Sequence, residues 1–428
     1  MPYQSPISPG HSWYEASVGD RPSYAPLDGD VRTDVVIIGG GFTGLSAAAH
    51  LAKAGTRVVL IDGARFGDGA SGRNGGQLGT GQRTPADELE AALGFTRAKA
   101  LFDLAEEAKA HLLEFASVNG IEIDFMPGQM SVAHKKRYVD DYKAYADVMA
   151  TRFGYPHVRF MDAHETAERL GSQHYFGGTR DSGTGHIHPL KLVVGSARVA
   201  AQAGAKLHEN TRATGISSNG GKVVVTTPQG TITADKGFIA VNAYGGTLEP
   251  VSAAHVMPIG SFIGATVPLG SDSPVLPGGE SVDDSRFVVR YFRKTTDGRL
   301  LFGGREIYTV DNPSDISAHI RRQIAEIYPG LKDVEITHSW GGFVGITVPR
   351  MPYVREVMPN VIFAGGYSGH GVMLSNFVGK LYAETIAGNR DRLKLLEDLK
   401  IPAFPGGRSL RAPLLFLALN WFALRDRF

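Results

Sequence analysis

The sequence predicts an α/β protein of two domains, with a parallel sheet in one and a strand-rich region in the other. A buried strand, a glycine-rich turn and a helix follow one another at residues 34–54. The same order recurs at residues 361–386, more than 300 residues later. Residues 255–310 are mostly strand-like, which predicts the second sheet.

The composition is that of a folded protein without a strong preference for charged partners. Of 428 residues, 44 are Lys or Arg and 43 are Asp or Glu, so the net charge is +1 and nucleic acid is not an expected partner. Cysteine is absent, which excludes disulfides, a thiol nucleophile and cysteine-bound metal. Neither a signal peptide nor an apolar run of about 20 residues is visible, so we expect a cytoplasmic protein without a transmembrane helix.

The first element is a polar arm at residues 1–30, followed by a turn with the spacing that brings backbone close to a pyrophosphate. In Gly39-x-Gly41-x-x-Gly44, the glycines permit a tight turn, phosphate approach and close helix–strand packing. An acid ends the next buried strand, where a carboxylate can accept hydrogen bonds from a ribose. This unit is typical of Rossmann-like dinucleotide-binding domains. The residues expected at the nucleotide are Gly39, Gly41, Phe42, Thr43, Gly44 and Asp62.

A second glycine-rich segment, GASGRNGGQ at residues 69–77, begins seven residues after that acid. Such a loop can direct several backbone N–H groups at a second phosphate or at a flavin ring. We expect Arg73 to neutralise pyrophosphate charge. The contacts predicted in this segment are Ala70, Ser71, Arg73, Asn74, Gly75, Gly76 and Gln77.

Between the first and last glycine-rich turns, the pattern predicts further regular elements. We expect helices at residues 86–116, 135–153, 163–170, 191–202 and 314–328, and a strand near 121–125, among others.

The last strand enters a third glycine-rich turn, GGYSGHG at residues 365–371. Two strand–turn–helix junctions so far apart in sequence fit one long cofactor held at both ends. The positive end of the second helix can stabilise negative charge at the pyrimidine end of a flavin. The contacts predicted here are Gly366, Ser368, Gly369, His370 and Gly371.

Together with several shorter stretches, these motifs resemble the FAD-dependent amine and amino-acid oxidoreductases of the D-amino-acid oxidase, glycine oxidase and sarcosine oxidase superfamily. Within it, the chain is most similar to the γ-glutamylputrescine oxidoreductases, and the similarity covers essentially the whole chain. The further stretches that carry the resemblance are GHIHPL at 185–190, NAY at 242–244, MP at 257–258, RMP at 350–352, GYSGHGV at 366–372, and the tail at 404–408 and 425–427.

The resemblance implies a Rossmann-like FAD-binding domain and a substrate domain with a mixed or antiparallel sheet. The FAD-binding domain would comprise residues 31–115, 176–248 and 336–405, and the substrate domain residues 116–175 and 249–335. It also implies that backbone at Ala213 holds the adenine. Relatives that tether their flavin use a cysteine, absent here, or a histidine where this chain has Arg73, so we expect noncovalent FAD.

The implied reaction is oxidation of a primary amine of the γ-glutamylputrescine type, as in putrescine and polyamine catabolism. Hydride passes to flavin N5, the imine is hydrolysed to aldehyde and ammonia, and O2 reoxidises the flavin to give H2O2. Three alternatives stay open: a D-amino-acid or secondary amino-acid oxidase, a dehydrogenase that passes electrons to quinone, and a non-enzymatic flavin-binding assembly or sensor protein.

Substrate contacts are expected from the strand-rich region and the third turn. Relatives of the sarcosine oxidase branch bind the substrate carboxylate with a lysine where this chain has Met373, which argues for an amine without a carboxylate on the reacting carbon. His186 and His188 lack a third ligand, so no metal is expected. The catalytic candidates are Tyr291, Trp340 and His370. The candidates for substrate binding are Arg293, Arg350 and Met373, with Arg83 as a further candidate for a distal carboxylate.

The most apolar stretch of the chain is at residues 413–424, within a predicted C-terminal helix or tail at 406–428. Twelve helical residues rise about 18 Å, which is too short for a bilayer core of about 30 Å. We favour docking of this helix on the protein body over contact with a membrane surface.

Overall fold

A computed structural model of the chain describes residues 3–307 and 315–405. The predicted C-terminal helix lies outside the described residues. The strands are β1 (Gly10–His11), β2 (Val31–Arg32), β3 (Val35–Ile38), β4 (Val58–Ile61), β5 (Met126–Val132), β6 (Val158–Met161), β7 (Gly178–His186), β8 (Lys206–His208), β9 (Gly215–Asn219), β10 (Lys222–Thr227), β11 (Gly230–Ala234), β12 (Lys236–Ile239), β13 (Met257–Pro268), β14 (Ser281–Asp284), β15 (Tyr291–Lys294), β16 (Arg299–Ile307), β17 (Ile336–Ile346), β18 (Tyr353–Met358) and β19 (Val361–Gly365). The α-helices are α1 (Trp13–Ser17), α2 (Phe42–Lys53), α3 (Ala86–Leu93), α4 (Phe95–Val118), α5 (Val139–Thr151), α6 (Ala163–Leu170), α7 (Pro189–Gln202), α8 (Pro250–His255), α9 (Ile316–Ile327), α10 (Gly371–Ile386) and α11 (Asp391–Glu397).

Six strands form a sheet in the order β18-β19-β12-β3-β4-β8, parallel except at the edge pair β18/β19. Strands β3 and β4 are continuous apolar runs, and every residue in them is buried. This pattern belongs to parallel strands that are covered on both faces. Helix α2 packs against both strands and also contacts α7 and α10. The carboxyl ends of the parallel strands therefore share one edge.

Nine strands form a larger sheet in the order β1-β17-β13-β16-β15-β14-β5-β7-β6. Every pair is antiparallel except β14/β5, so the sheet is mixed. One face of its central strands is apolar and packs against α9 in a compact cluster. Members of that cluster include Met130, Val282, Phe292, Phe302, Ile320 and Ile324. The two sheets confirm the predicted fold class.

A small sheet, β2-β11-β10-β9, packs beside the parallel sheet, and the arm reaches the large one. The pairing of β1 with β17 places residues of the arm at the edge of the nine-stranded sheet, and Tyr14 is completely buried. Strands β7 and β17 fall in the ranges predicted for the FAD-binding domain, yet both pair within the nine-stranded sheet. The domain boundaries stay a prediction.

Two local expectations were wrong. The helix predicted at residues 86–116 is two helices, because Gly94 has a φ of +78° and interrupts the regular backbone between α3 and α4. The strand predicted near residues 121–125 is irregular, and the strand begins at Met126. Asp124 there has a φ of +49°, which does not fit an extended strand.

Candidate active site

A cavity of about 1340 Å³, including its open mouth, lies at the carboxyl edge of the parallel sheet. Ligands in open α/β sheets bind in the crevice at this edge. We call it the cofactor cavity. The predicted site residues that line it are Gly39, Gly41, Phe42, Thr43, Asp62, Ala70, Ser71, Asn74, Ala213, Ser368, Gly369 and Gly371.

The first wall is the turn between β3 and α2. Gly39 has a φ of +113°, and a Cβ there would stand 2.6 Å from the carbonyl oxygen of Ala240. A Cβ on Gly44 would overlap the carbonyl oxygen of Gly39, so Gly44 serves helix–strand packing and not the ligand. Gly41 caps α2 without a side-chain hydrogen bond. The positive end of α2 thus opens into the cavity, which suits a phosphate.

Asp62 follows β4 and faces the cofactor cavity. Its carboxylate accepts hydrogen bonds from the backbone N–H groups of Gly40 at 2.7 Å and Ala64 at 2.9 Å. Burial nevertheless raises the pKa of Asp62 to about 6. Hydroxyl donors from a ribose would stabilise the ionised form, as expected of the acid in this type of site.

The second glycine-rich segment forms another wall, and its own side chains hold it in shape. Asn74 donates to the carbonyls of Ala70 and Ser71, and its Oδ1 accepts from the N–H of Gly76 at 2.8 Å. The hydroxyl of Ser71 accepts from the N–H of Phe42 at 2.9 Å. The segment therefore closes over the N-terminus of α2. Gly75, Gly76 and Gln77 do not line the cavity.

The third wall is the turn between β19 and α10. Ser368 and Gly369 both have positive φ angles, +54° and +89°. The N-cap residue of α10, His370, makes no side-chain capping hydrogen bond. The N-termini of two helices, neither capped by the side chain of its own N-cap residue, therefore line one cavity. Gly366 lies behind this wall, where its N–H donates to Asn242 Oδ1 at 2.8 Å.

These features fit FAD. The N-terminus of α2 and the glycines beside it suit a pyrophosphate, Asp62 suits an unphosphorylated ribose, and the α10 terminus suits the electron-accepting end of a flavin. The family profile described as DAO, FAD dependent oxidoreductase, matches residues 34–385. The chain belongs to this family. It is therefore an FAD-dependent oxidoreductase, of a family whose members act on amine or amino-acid donors.

Proteins similar to this DAO-family oxidoreductase cover most or all of its length. Probable oxidoreductase OrdL of Rhizobium meliloti (strain 1021) is 64% identical over 428 residues, which is all of both chains. Gamma-glutamylputrescine oxidoreductase of Escherichia coli (strain K12) is 34% identical over 419 residues, covering 97% of this chain and 98% of the relative. The crystal structure of glycine oxidase from Geobacillus kaustophilus superimposes with a TM-score of 0.71 at 25% identity, covering 83% and 95% of the two chains.

The predicted contact of Arg73 with the pyrophosphate is corrected by the structure, because its guanidinium has other hydrogen-bond partners. Nε donates to the carbonyl of Gly341 at 2.7 Å, and Nη2 contacts the carbonyls of Pro9 and Gly10. Arg73 does not line the cofactor cavity. It joins the arm to the nine-stranded sheet, and the expected contact with pyrophosphate is not supported.

The predicted roles of Trp340 in catalysis and of Met373 in substrate binding are also corrected, since both side chains are completely buried. Trp340 does not wall the cavity, and its Nε1 donates to the carbonyl of Arg73 at 3.0 Å. Met373 packs in the core that includes Phe377 and Leu374, so it does not touch a substrate.

The predicted role of Arg293 in substrate binding is corrected as well. Its Nε donates to the carbonyl of Gly75 at 2.6 Å, and Nη2 donates to Ile187 O and to the Tyr14 hydroxyl. A buried arginine whose donors are used in this way fastens the second glycine-rich segment and does not receive a substrate carboxylate. Tyr291, two residues earlier in β15, lies on the same face of the sheet.

The other candidates lie around the cavity without lining it. A Cβ on Gly75 would stand 3.0 Å from the ring of Tyr291, whose hydroxyl lies 3.2 Å from Ser261 Oγ. Burial, then the charges of Arg83 and Lys109, lowers the pKa of His370 to about 4, so its imidazole is neutral at pH 7. Arg350 has a φ of +57° and its guanidinium lies 5.2 Å from the Phe287 ring centroid.

Sequence reasoning missed several residues of the cavity wall, among them Asn242, Tyr244 and Tyr367. Tyr367 O–H and Thr43 Oγ1 are 3.0 Å apart, which joins the first and third walls. Asn242 and Tyr244 follow β12, a central strand of the parallel sheet. Position at the carboxyl end of a parallel strand was the signal that could have found them.

His186 and His188 have structural partners. His188 Nδ1 accepts from the N–H of Lys191 at the start of α7, and His186 Nε2 lies 2.9 Å from the carbonyl of Gly279. Within residues 3–307 and 315–405, no group of three or more potential metal ligands occurs. No helix in that part of the chain is long and apolar enough to span a bilayer.

Proposed function

We propose that this oxidoreductase oxidises a primary amine of the γ-glutamylputrescine type. The imine formed is hydrolysed to an aldehyde and ammonia. FAD, when bound in the cofactor cavity, supplies the two-electron acceptor and passes the electrons to O2, which gives H2O2. The full-length similarity to gamma-glutamylputrescine oxidoreductase of Escherichia coli supports this substrate class.

One observation carries the choice of an amine over an α-amino acid held by its carboxylate at the flavin. The part of α10 that lines the cofactor cavity contains no cation: its residues there are Gly371, Val372 and Ser375. A carboxylate on the reacting carbon would lie there without a charged partner. Desolvation of such an anion is unfavourable. An uncharged aminomethylene group meets no such penalty.

The reacting nitrogen must be neutral, because an ammonium has no lone pair to assist loss of hydride. A free alkylammonium has a pKa of about 10.4, so the site has to favour deprotonation by burial. We assign Tyr291 to the substrate side of the second glycine-rich segment. Its hydroxyl and that of Ser261 are neutral hydrogen-bonding groups there. The ring of His370, also neutral, lies against Gly79, just after the second glycine-rich segment.

We further propose that FAD is held without a covalent bond. The chain has no cysteine, and the resemblance implies that Arg73 stands where some relatives have a tethering histidine. Acid precipitation of purified protein should release all of the flavin into the supernatant. Yellow colour retained in the washed pellet would contradict noncovalent binding.

The reaction is tested by product balance with γ-glutamylputrescine in air. We expect one aldehyde, one ammonia and one H2O2 for each amine consumed. Sarcosine and D-alanine serve as matched amino-acid donors and should give no turnover. Turnover that requires a quinone analogue and yields no peroxide would instead indicate a dehydrogenase. Turnover of sarcosine or D-alanine alone would overturn the substrate class, and absence of turnover with every amine would indicate a flavoprotein without this activity.

A further inference from the structure

One face of β5, β14 and β15 is polar, in contrast to the apolar face that packs on α9. Asp283 lies on this face, directly opposite Tyr291 in the antiparallel pair β14/β15. Cross-strand neighbours have Cβ atoms about 5 Å apart and share a face. Asp283 accepts hydrogen bonds from Gln129 Nε2 at 2.7 Å and from Ser131 Oγ at 3.0 Å.

We call this polar face of β5, β14 and β15 the patch. The second glycine-rich segment connects it to the cofactor cavity. Gln77 Nε2 donates to the carbonyl of Val282 at 3.0 Å, and Arg293 holds the carbonyl of Gly75. The ring of Tyr291 packs on Gly75. The segment that lines the cavity at its beginning is thus fastened to the polar face at its end.

Two polar atoms of the patch have no hydrogen-bond partner. Gln129 Oε1 and Ser281 Oγ are both buried and unpaired, although Gln129 is the residue that donates to Asp283. Asp283 itself forms no ion pair within the described residues. Burial raises the pKa of Asp283 above its ordinary value, against the hydrogen bonds from Gln129 and Ser131 and the charge of Arg83. These buried oxygens have no hydrogen-bond donor, and the carboxylate beside them has no ion-pair partner. Such a face can receive a donor group with positive charge.

Arg83 supplies an opposite charge near enough to act on Asp283. Its positive charge acts on Asp283, Tyr142 and His370, yet among the residues that the structure describes its guanidinium forms neither a hydrogen bond nor an ion pair. The neighbouring side chains are anchored: Gln82 donates to Leu101 O and Thr84 to Pro349 O. Arg83 is only half-buried, so a ligand can reach it.

Asp283 and Arg83 are near enough for their charges to interact but form no ion pair among the described residues, which matches a ligand that carries both charges. We propose that Asp283 and Arg83 bind the α-amino-acid head group at the end of the substrate remote from the reacting amine. Asp283 and Gln129 Oε1 accept hydrogen bonds from the α-ammonium, and Arg83 donates to the α-carboxylate. This assignment rests on the proposed function, because a γ-glutamyl amine carries such a head group and a plain diamine does not.

The test uses N-butyl-γ-glutamine, which has the head group and lacks the reacting amine. Its dissociation constant is measured by calorimetry with oxidised holoenzyme. Two further ligands each lack one charge: N-butylglutaramic acid has no ammonium, and 4-amino-N-butylbutanamide has no carboxylate. The variants are D283N and R83Q, with D235N and R57Q as exposed controls for the same changes in charge.

We expect D283N to weaken binding of N-butyl-γ-glutamine by roughly 10- to 100-fold and to leave binding of N-butylglutaramic acid unchanged. R83Q should weaken binding of N-butyl-γ-glutamine to a similar extent and leave 4-amino-N-butylbutanamide unchanged. The controls should bind all three ligands as the wild type does. Because each variant is compared across ligands, a loss of folded protein would affect all three alike and would not mimic this pattern.

The proposal is overturned if the wild type binds the three ligands equally or not at all, or if D283N weakens all three by the same factor. Failure of the proposed function is a separate result. If γ-glutamylputrescine does not reduce the flavin while N-butyl-γ-glutamine binds with the expected dependence on Asp283 and Arg83, the head-group site stands and the assigned reaction falls.

Discussion

Replacing Asp62 by Asn should stabilise the apoprotein against unfolding and weaken its binding of FAD. In the apoprotein the carboxylate lies beside two backbone N–H donors, from Gly40 and Ala64, and forms no ion pair among the described residues. Burial raises its pKa to about 6 from an ordinary 3.8. At about 1.36 kcal/mol per pKa unit, ionised Asp62 destabilises the apoprotein by about 3 kcal/mol at pH 7.

The D62N change removes this charge and loses one of the two backbone hydrogen bonds, because the amide has a single acceptor oxygen. The lost bond contributes about 1 kcal/mol, so the D62N apoprotein should be about 2 kcal/mol more stable at pH 7. Since the folded-state pKa exceeds the unfolded value, the wild type regains stability as the pH falls through 6. By pH 5 the wild type regains about 1.3 kcal/mol, which narrows the difference by more than half.

The assay is urea unfolding of both apoproteins at pH 7 and pH 5, followed by fluorescence, with D235N as the exposed-carboxylate control. FAD titration then gives the second half of the prediction. Loss of charged hydrogen bonds to the ribose should weaken FAD binding by roughly 10- to 100-fold. A D62N apoprotein less stable than the wild type by the same amount at both pH values would refute the reasoning, as would an unchanged FAD affinity.

Three further substitutions test the corrected roles. R293M should lower the free energy of unfolding by roughly 3 kcal/mol, since three buried acceptors lose their donor; a raised amine KM with unchanged stability would instead make Arg293 a substrate ligand. W340F should lower unfolding stability by about 1 kcal/mol through loss of the bond to Arg73 O and leave kcat near the wild-type value; a tenfold fall in kcat would contradict this. G44A should destabilise the fold by about 3 kcal/mol, because its Cβ overlaps the Gly39 carbonyl; a wild-type melting temperature would be inconsistent with that packing.

The backbone of the site could be predicted from the sequence because its signals are local. In the first turn, Gly39, Gly41 and Asp62 lie within one strand–turn–helix–strand unit, and the glycines restrict what the backbone can do. The third turn repeats the unit at the end of β19. Parallel strands share a carboxyl edge, so the two turns had to meet at one cavity.

The directions of the side chains could not be predicted in the same way. Arg73 was expected at a phosphate, but its partners come from the arm and from β17, 63 to 268 residues away in the chain. Trp340 was expected as a catalytic residue and Met373 at the substrate, and both belong to the core. No spacing in the sequence specifies such pairings, because they depend on which strands become neighbours.

Asp283 shows the same limit from the other side. Nothing in its own segment distinguishes it from Asp284, which pairs with Arg286. Its setting arises only when β5 and β15 flank β14 and place Gln129, Ser131 and Tyr291 around it. The candidate substrate site forms only when strands distant in sequence pair into one sheet face. The residues of the cofactor site, in contrast, lie in short sequence motifs.

The central claim, that the protein oxidises a γ-glutamylated primary amine through its flavin, is tested most directly by anaerobic mixing. Oxidised holoenzyme is mixed with γ-glutamylputrescine, putrescine, sarcosine or D-alanine, and the absorbance band of the oxidised flavin is followed. The account predicts complete bleaching by γ-glutamylputrescine and slower or no bleaching by the others. Bleaching by sarcosine or D-alanine with none by γ-glutamylputrescine would contradict it.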